Sequence, residues 1–255
     1  MAMLYGIGME IVSSMRLMVM IHGMVRAVTG RRRIQPAEVI KVRMRRMNIY
    51  SYKITRDYGF APNPFFGVCT LATCKPRIRQ HAQVGDWVLA FGGKSTIVLG
   101  KLVCLMRIDE TMSFDEYWND ERFQCKKPMF NRAIKYCYGD NIYHHEDGAT
   151  WVQENSHHSK VDGINEINLT HDTQTDRVLI SKLYWYFGAD AIDLPSKYDE
   201  LSSHTRDYHL LRVENLSFRW EEFQEWIKEQ SIMGQHGLPF SWANGGGFVR
   251  YKGGR

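Results

Sequence analysis

The segment from Asp57 to Arg79 holds the side chains whose types and spacing are best suited to chemistry. It offers one carboxylate from Asp57, one amide from Asn63 and three basic groups from Lys75, Arg77 and Arg79. If the end of this stretch is extended, alternate spacing puts Arg77 and Arg79 on one face. Hydrogen-bonding and cationic groups together suit an anionic ligand that also makes hydrogen bonds, such as a nucleotide.

The same segment is irregular in backbone yet apolar in side chains. Its three prolines and two glycines exclude regular strand pairing over most of its length. Phe60, Phe65, Phe66 and Leu71 nevertheless predict that much of it is buried. A buried irregular backbone needs partners for its N–H and C=O groups, and such loops concentrate at binding and catalytic sites. We therefore expect this segment to form part of a functional site.

Two histidine pairs raise the question of a metal site. His144–His145 or His157–His158 could bind a metal ion together with Asp140 or Asp147. Adjacent histidines rarely reach one ion, however, and neither His-x-x-x-His nor Cys-x-x-Cys occurs in the chain. Hydrogen bonding or acid–base chemistry is the alternative role. We expect no metal and no cofactor, and the lack of a phosphate-loop or G-x-G-x-x-G motif argues against an ATPase or a dinucleotide enzyme.

Positive charge is concentrated at the start of the chain. Residues 1–46 hold nine Lys or Arg and two acidic residues, a net +7, so that the rest of the chain carries −2 of the total +5. Nucleic-acid binding must therefore come from a local patch rather than from the overall field. Eight of the thirteen methionines also lie there, and charged residues interrupt the apolar run too often for a membrane span or a secretory signal. We interpret this basic leader as disordered or as an extension that is not native.

The five cysteines are odd in number and show no repeated short spacing. This pattern favours reduced thiols in a cytoplasmic protein over a disulfide framework. No Cys or Ser is marked as a nucleophile by its sequence context.

The elements that must position these groups are short strands separated by turns, with a few helices. Predicted strands cover residues 48–55, 87–91, 97–109 and 177–187. Predicted helices cover residues 76–81, 113–118 (with a capping box) and 216–230. This pattern predicts an α+β fold resembling a small β-barrel. One domain is expected over 47–230, followed by a glycine-rich tail over 231–255, of which residues 245–255 are expected to be loose.

Several motifs carry a resemblance to known families. The Val-Gly-Asp turn and its flanking strands, residues 82–88 and 97–103, are similar to the core of PUA-like domains, the group that includes the EVE, YTH and ASCH families. Longer motifs resemble the second family of nucleotide modification associated domains, over about residues 47–216. These motifs are DYGFAPNPF (57–65), CTLATCKPRIR (69–79), FDEYW (114–118) and GDNIYH (139–144). The resemblance implies a PUA-like or EVE-like small β-barrel with flanking helices and long functional loops.

That family is associated with hypermodified DNA in phages and bacteria, and some members resemble anti-phage DNA glycosylases. The resemblance therefore implies a glycosylase that excises glucosylated hydroxymethylcytosine from phage DNA. Base excision needs a pocket for a flipped base and a carboxylate near the sugar C1′. Asp57 and Asp140 are the predicted carboxylates, with Asn63, Asn141 and His144 as positioning groups. The alternative for either aspartate is an Asx-turn that only shapes its loop.

Other residues are predicted to hold this substrate. The predicted phosphate ligands are Lys75, Arg77 and Arg79. The predicted base and sugar ligands are Phe60, Tyr143, Trp151, Gln153, Ser156, His157 and His158. Core packing is the alternative for the Phe and Trp, and a solvated basic turn is the alternative for the phosphate ligands.

Two other functions stay open at this point. One is a reader that binds a modified base without cutting it, and the other is an enzyme of DNA base hypermodification. The density of polar residues over 139–159 favours an enzyme. The expected partner is DNA that carries modified bases, such as a phage genome, with no membrane and no obligate protein partner.

Overall fold

The computed structural model describes residues 46–202, 207–242 and 247–253. The leader predicted over residues 1–46 lies outside these ranges except for Arg46. In chain order the strands are β1 (Asn48–Ile54), β2 (Cys69–Leu71), β3 (Trp87–Gly92), β4 (Leu102–Arg107), β5 (Glu110–Met112), β6 (Tyr143–His145), β7 (Trp151–Gln153), β8 (Val178–Ser181), β9 (Tyr184–Tyr186), β10 (His209–Arg212) and β11 (Gly234–Gln235). The α-helices are α1 (Pro76–His81), α2 (Phe114–Asn119), α3 (Ile134–Cys137), α4 (Glu166–Asp172) and α5 (Trp220–Gln230).

A six-stranded mixed sheet forms the centre of the fold, in the order β10-β1-β3-β4-β9-β11. β1 is parallel to β3 and β11 to β9, and the other neighbours are antiparallel. Alternate residues of the central strands face two different cores, with Tyr52 and Ala90 on one side and Leu89 and Phe91 on the other. The second core also includes Phe223 of α5. Because both faces of the sheet are covered, β3 is buried at every position.

Two smaller sheets complete the fold. One has the strand order β2-β8-β5, and the other is the β6–β7 hairpin. A third core lies against them and includes Phe114 and Tyr117 of α2. The capping box predicted for α2 is confirmed, since the Ser113 hydroxyl accepts from the Glu116 N–H and the Glu116 carboxylate accepts from the Ser113 N–H. The strand predicted over 48–55 is confirmed as β1, which ends at Ile54, and the helix predicted over 76–81 is confirmed as α1.

Two long predicted strands are interrupted. Residues 97–101 form a turn before β4, because Gly100 has a φ of +77° and the Lys101 N–H donates to the Val98 carbonyl. The predicted strand over 177–187 is divided into β8 and β9, which belong to different sheets. The division occurs where the Asp109 carboxylate accepts from the Lys182 N–H at 2.7 Å and from the next N–H.

The mixed α and β content agrees with the prediction, but the small β-barrel is not confirmed. The central sheet is open, with β10 and β11 as its edges in the part of the chain that the structure describes. A barrel would require those edge strands to pair. Among the described residues, no helix combines the length and apolar character that crossing a membrane requires.

The described part of the glycine-rich tail, residues 231–242 and 247–253, is attached to the rest of the fold, although its end was predicted to be loose. Its residues 234–235 pair with β9 as strand β11. Further on, the Val249 N–H donates to the Tyr138 hydroxyl at 2.9 Å, and the Tyr251 N–H donates to the His157 carbonyl at 2.7 Å. Backbone hydrogen bonds to the body thus hold residues 247–253, which belong to the same compact unit as the sheets.

Candidate functional site

A cavity of about 490 Å³ opens at the carboxyl end of β1. It forms where the loop before α1, the turn after β7, α4 and residues 247–253 meet the end of this strand. We call it the aromatic pocket, after Tyr58, Phe60, His157 and Tyr251 in its wall. Its lining residues are Tyr52, Lys53, Ile54, Thr55, Arg56, Tyr58, Phe60, Ala61, Cys74, Lys75, Pro76, His157, His158, Ile167, Asn168, His171, Asp207 and Tyr251. The volume lies in the range of small-molecule sites.

Ring contacts hold the wall of the aromatic pocket in place. The ring centroid of His157 lies 4.8 Å from that of Tyr58 and 5.0 Å from that of Phe60. The ring centroid of His158 lies 4.6 Å from that of Phe60 and 5.5 Å from that of Tyr251. Both tyrosines are partly exposed. Planar faces held in this way can stack on a flat ligand such as a nucleobase.

Two cationic side chains line the same cavity. The Arg56 guanidinium lies 5.0 Å from the ring centroid of Tyr251, and the Lys75 Nζ lies 4.7 Å from that of Tyr52. Burial lowers the pKa of Lys75 from its usual value, since burial disfavours the charged form. An anionic group placed here would favour the charged form again, so this side of the pocket suits phosphate.

A buried carboxylate, that of Asp172 in α4, organises the floor of the site. Its Oδ1 accepts from the Cys74 N–H at 2.8 Å and from the His171 ring at 3.1 Å. Its Oδ2 accepts from the His158 Nδ1 at 2.7 Å and from the Tyr143 hydroxyl at 2.9 Å. Burial alone would raise the pKa of Asp172, but the charge and hydrogen bond of His158 hold it well below its usual value. The carboxylate is therefore ionised.

The two neighbouring histidines of the pocket have opposite charge preferences. Burial alone would lower the pKa of His158, but the Asp172 carboxylate and the Cys74 thiol raise it to about 10. Burial and the positive His158 lower the pKa of His157 to about 3. The His157 Nδ1–H donates to the Val249 carbonyl, which fixes its tautomer. Near neutral pH, His158 is thus an imidazolium and His157 a neutral ring.

We expect His157→Gln to make the free energy of unfolding depend less on pH on the acidic side of neutrality. The wild-type protein should lose stability as the pH falls from about 6.5 toward about 3, because the unfolded chain binds a proton that buried His157 does not. Over that whole range the loss amounts to at most about 5 kcal/mol. Urea unfolding at several pH values between about 7 and 4 measures it. Parallel curves for the two proteins would contradict the prediction.

Asp57 does not line the aromatic pocket. Its Oδ1 accepts from the Gly59 N–H at 3.1 Å, which is the Asx-turn arrangement, and its Oδ2 accepts from the Tyr186 hydroxyl at 2.6 Å. Burial raises the pKa of Asp57 to about 6, against the effect of these hydrogen bonds. The contacts of this carboxylate anchor the loop that carries Tyr58 and Phe60.

The other predicted catalytic carboxylate, Asp140, belongs to a buried network outside the pocket. It accepts from the Thr70 hydroxyl at 2.6 Å and from the Tyr117 hydroxyl at 2.9 Å. Asn63 accepts from the buried Lys126 ammonium at 2.8 Å. The Asn141 amide donates to the Tyr117 carbonyl at 2.9 Å and to a second carbonyl. The network ties loops together, so the predicted positioning of a reactive water by these amides has no support in the geometry.

The remaining predicted ligands fall into three groups. Phe60, His157 and His158 line the aromatic pocket. Tyr143 and Gln153 lie one layer behind it, where the Gln153 Nε2 donates to the Tyr143 hydroxyl at 3.1 Å and to the His158 carbonyl at 3.3 Å. His144, Trp151 and Ser156 are not in the lining. His144 instead stacks on Trp118 with centroids 4.1 Å apart, Trp151 lies against His145, and the Ser156 carbonyl accepts from Arg250.

The three predicted phosphate ligands are separated by the fold. Only Lys75 lines the pocket, and Arg77 pairs at 3.0 Å with Asp207 on the surface. Arg79 is fully buried and donates to main-chain carbonyls, including those of Cys74 at 2.9 Å and Arg177 at 2.7 Å. The predicted contact of Arg79 with phosphate therefore has no support in the geometry. Because residues 76–81 form a helix, the two arginines do not share the face that an extended chain would give them.

Sequence reasoning missed Arg56, Tyr58, Cys74, Asp172 and Tyr251. The position of Cys74 just before Pro76, where a helix starts, was a usable signal, since turns between a strand and a helix often hold functional groups. Asp172 and Tyr251 lie far from the motif along the chain, and only folding brings them to it.

Cys74, His158 and Asp172 are also types of residue that bind metals, and their ligand atoms lie within 4.8 Å of one another. The arrangement does not favour an ion. Both Asp172 oxygens already accept two hydrogen bonds each, and one of those joins it to the His158 ring. If Asp172 were to bind an ion as the third ligand, hydrogen bonds to its carboxylate would have to break.

Comparison with known families gives a match over most of the chain. The family model described as nucleotide modification associated domain 2 matches residues 46–246. No curated protein and no solved structure matches the chain. The matched range includes the irregular segment from Asp57 to Arg79 and the whole lining of the aromatic pocket except Tyr251.

Proposed function

The chain belongs to the nucleotide modification associated domain 2 family, and from that premise we propose that it binds a modified nucleotide of DNA with the base in the aromatic pocket. The observation that carries the proposal is the pocket itself. It combines flat ring faces from Tyr58, His157 and Tyr251 with the cations Arg56 and Lys75. This is the combination that a base and its phosphate require.

The pocket supports a defined orientation of the ligand. The base lies against the rings, where stacking tolerates extra substituents because it uses only the face of the base. Its phosphate lies toward Arg56, which is exposed, and Lys75. The open side of the cavity leaves room for a group attached to the base, such as a hydroxymethyl group or a sugar.

Access to such a pocket in duplex DNA requires that the base leave the stack. A flipped or single-stranded nucleotide meets this requirement at a cost of about a few kcal/mol. The body of the protein carries no net positive charge, since residues after 46 sum to −2. Binding therefore depends on the local cations of the pocket and on stacking rather than on a broad basic surface. DNA of phages with modified bases is the proposed partner.

A glycosylase that excises a modified cytosine is the second candidate. Asp207 favours it, because this is the carboxylate among the described residues that line the pocket. A carboxylate near C1′ would stabilise the oxocarbenium-like transition state. Asp207 is paired with Arg77 and its side chain is 42% exposed, so it would have to exchange this partner for the substrate. Asp57 and Asp140 cannot serve without leaving their buried networks.

We expect Tyr251→Ala and Arg56→Ala to weaken binding of the modified DNA about 5- to 150-fold, because each removes a stacking or charge contact worth about 1–3 kcal/mol. Binding is measured on DNA that is unmodified, carries 5-hydroxymethylcytosine or carries glucosylated 5-hydroxymethylcytosine. Tyr136→Ala and Arg107→Ala are matched controls, since both side chains are partly exposed outside the pocket. They should leave the affinity unchanged.

Two outcomes decide between the candidates. Release of the modified base, followed by strand cleavage in alkali, would establish a glycosylase, and Asp207→Asn should then abolish release. Retention of all bases together with preferential binding to modified DNA would support recognition alone. Equal affinity for all three DNAs, or pocket variants that bind as well as the controls, would contradict the proposal.

A further inference from the structure

We propose that Cys74 is a nucleophile, activated by His158 and positioned by Asp172, that bonds transiently to the base held in the aromatic pocket. The inference rests on the proposed function, because it needs a base to lie beside this thiol. Within the part of the chain that the structure describes, these three residues form a compact cluster of thiol, imidazole and carboxylate, with ligand atoms within 4.8 Å of one another. Such an arrangement is the general requirement for an activated nucleophile.

The distances fit these roles. The Cys74 Sγ lies 3.7 Å from the His158 Nε2, and the His158 Nδ1 lies 2.7 Å from the Asp172 Oδ2. The carboxylate accepts the Nδ1–H, so that the Nε2 is the ring nitrogen directed at the thiol. Catalytic contacts of this kind are often long before a substrate binds.

Several hydrogen bonds fix the positions of Cys74, His158 and Asp172. The same Asp172 carboxylate that orients His158 also accepts from the Cys74 N–H at 2.8 Å, so one group fixes both partners. The Tyr143 hydroxyl holds the carboxylate from behind, and Gln153 in turn donates to that hydroxyl. This second layer restricts rotation of the imidazole, which an activated nucleophile requires.

Cys74 occupies a special backbone position. It lies in the turn between β2 and α1, with a φ of +54°, and the next residue, Lys75, has a φ of +38°. Left-handed backbone at a residue other than glycine costs about 1–3 kcal/mol and tends to occur at functional sites. The turn places Cys74 in the pocket lining. By contrast, Cys69, Cys104 and Cys137 are buried away from it.

The ring beside the thiol is positively charged. Since the pKa of His158 is raised to about 10, the ring beside the Sγ is an imidazolium at neutral pH. Its Nε2 lies 3.7 Å from the Sγ, within reach for proton exchange between the two groups. The titratable and charged groups that surround this pair are Lys75, Arg79, Tyr143, His157, His171 and Asp172.

The proposed step balances without a co-reactant. A lone pair of the Cys74 thiolate forms a bond from Sγ to an electrophilic carbon of a C=C or C=N bond in the base. The π electron pair of that bond moves to its other atom. This atom takes the proton from the His158 Nε2, which leaves a neutral imidazole. Reversal restores the base, the thiolate and the imidazolium.

The first test measures thiol reactivity in the intact protein. Iodoacetamide is added at about pH 6, where an ordinary thiol is almost fully protonated, and the labelled peptides are followed by mass spectrometry. Cys74 is expected to react at least about tenfold faster than Cys125, a partly exposed internal control. His158→Gln should remove this difference while the protein stays folded by circular dichroism. Equal rates in the wild type would overturn the inference.

The second test uses the modified DNA from the binding experiments. Bound DNA is expected to slow alkylation of Cys74 at least about fivefold and not that of Cys125. Quenching the wild-type complex in denaturant should yield a covalent protein–DNA species that Cys125→Ser retains and Cys74→Ser lacks. DNA that binds without protecting Cys74, or without a covalent species, overturns the inference and leaves the proposed function intact. Loss of binding itself would instead overturn the proposed function.

A metal at the same residues is the competing explanation. Stoichiometric zinc in the purified wild-type protein, lost in Cys74→Ser, would overturn the nucleophile proposal. Metal-free protein with fast alkylation would support it.

Discussion

Asp172→Asn is expected to lower the free energy of unfolding by about 3–5 kcal/mol, the usual cost of removing one member of a buried ion pair. Asp172 is fully buried and accepts four hydrogen bonds. An asparagine supplies only one acceptor oxygen, and its NH₂ group would face donors. The buried imidazolium of His158 would lose its counter-charge at the same time. Urea unfolding monitored by tryptophan fluorescence measures the change.

The control for this substitution is Asp115→Asn. Asp115 accepts from the His145 ring at 2.8 Å, so it forms the same type of pair, but its side chain is 41% exposed. Exposed pairs contribute at most about 1 kcal/mol. Similar losses for the two variants would show that burial of the Asp172 network has little energetic importance and would contradict the prediction.

Asp172→Asn should also change how the free energy of unfolding depends on pH. The pKa of His158 is raised from 6.5 to about 10, so its contribution to stability is fully present below about pH 6.5 and is lost as the pH rises toward about 10. Asp172→Asn removes the carboxylate that raises this pKa. The variant should therefore show a flatter stability curve than the wild type over that range. An unchanged slope would mean that Asp172 does not set the charge of His158.

Lys126→Met is expected to have the second large effect, also about 3–5 kcal/mol. The fully buried ammonium donates to the Asn63 carbonyl at 2.9 Å, to the Asn63 Oδ1 at 2.8 Å and to the Val68 carbonyl at 2.9 Å. Burial lowers its pKa, and the charge of Asp140 opposes that shift. A methionine fills similar space but removes a charged donor from three buried acceptors and leaves the Asp140 charge without its compensating cation.

Two further variants sharpen this experiment. Lys127→Met changes the neighbouring lysine, which lies over the Trp118 ring at the surface, and should cost no more than about 1 kcal/mol. The double variant Lys126→Met with Asp140→Asn should be less unstable than the sum of the single variants, because it removes both buried charges. Additive losses would contradict the inferred coupling of Lys126 and Asp140. They would also reopen the prediction that Asp140 serves the reaction rather than the fold.

The buried carboxylates discussed above are of two kinds, which differ in whether they contact the pocket lining. Asp57 and Asp140 hold loops in place and lie outside the aromatic pocket. Asp172 holds loops in place too, but its hydrogen bonds reach three lining residues, Cys74, His158 and His171. A substitution at any of the three should destabilise the protein, so activity measurements alone cannot assign roles. Thiol reactivity and pH dependence can, because they report on the charge of His158.

The sequence by itself determined the local structure and the importance of the irregular segment. Pro76 and the Ser113 capping box locate the starts of α1 and α2, because those signals act within one turn of chain. The alternation of apolar and polar residues predicted β1. The motifs around 57–79 identified the family whose model matches residues 46–246. The segment does supply Tyr58, Phe60, Cys74 and Lys75 to the pocket.

Only the tertiary structure decided which polar residues face the cavity. An aspartate in a turn next to glycine has the same sequence context whether it meets water, a ligand or a buried hydroxyl, and Asp57 and Asp140 both meet hydroxyls. The partners of Cys74 come from the turn after β7 and from α4, which follow it by 84 and 98 residues. Contacts at such separations depend on how the sheets pack, because no local propensity or spacing along the chain encodes them.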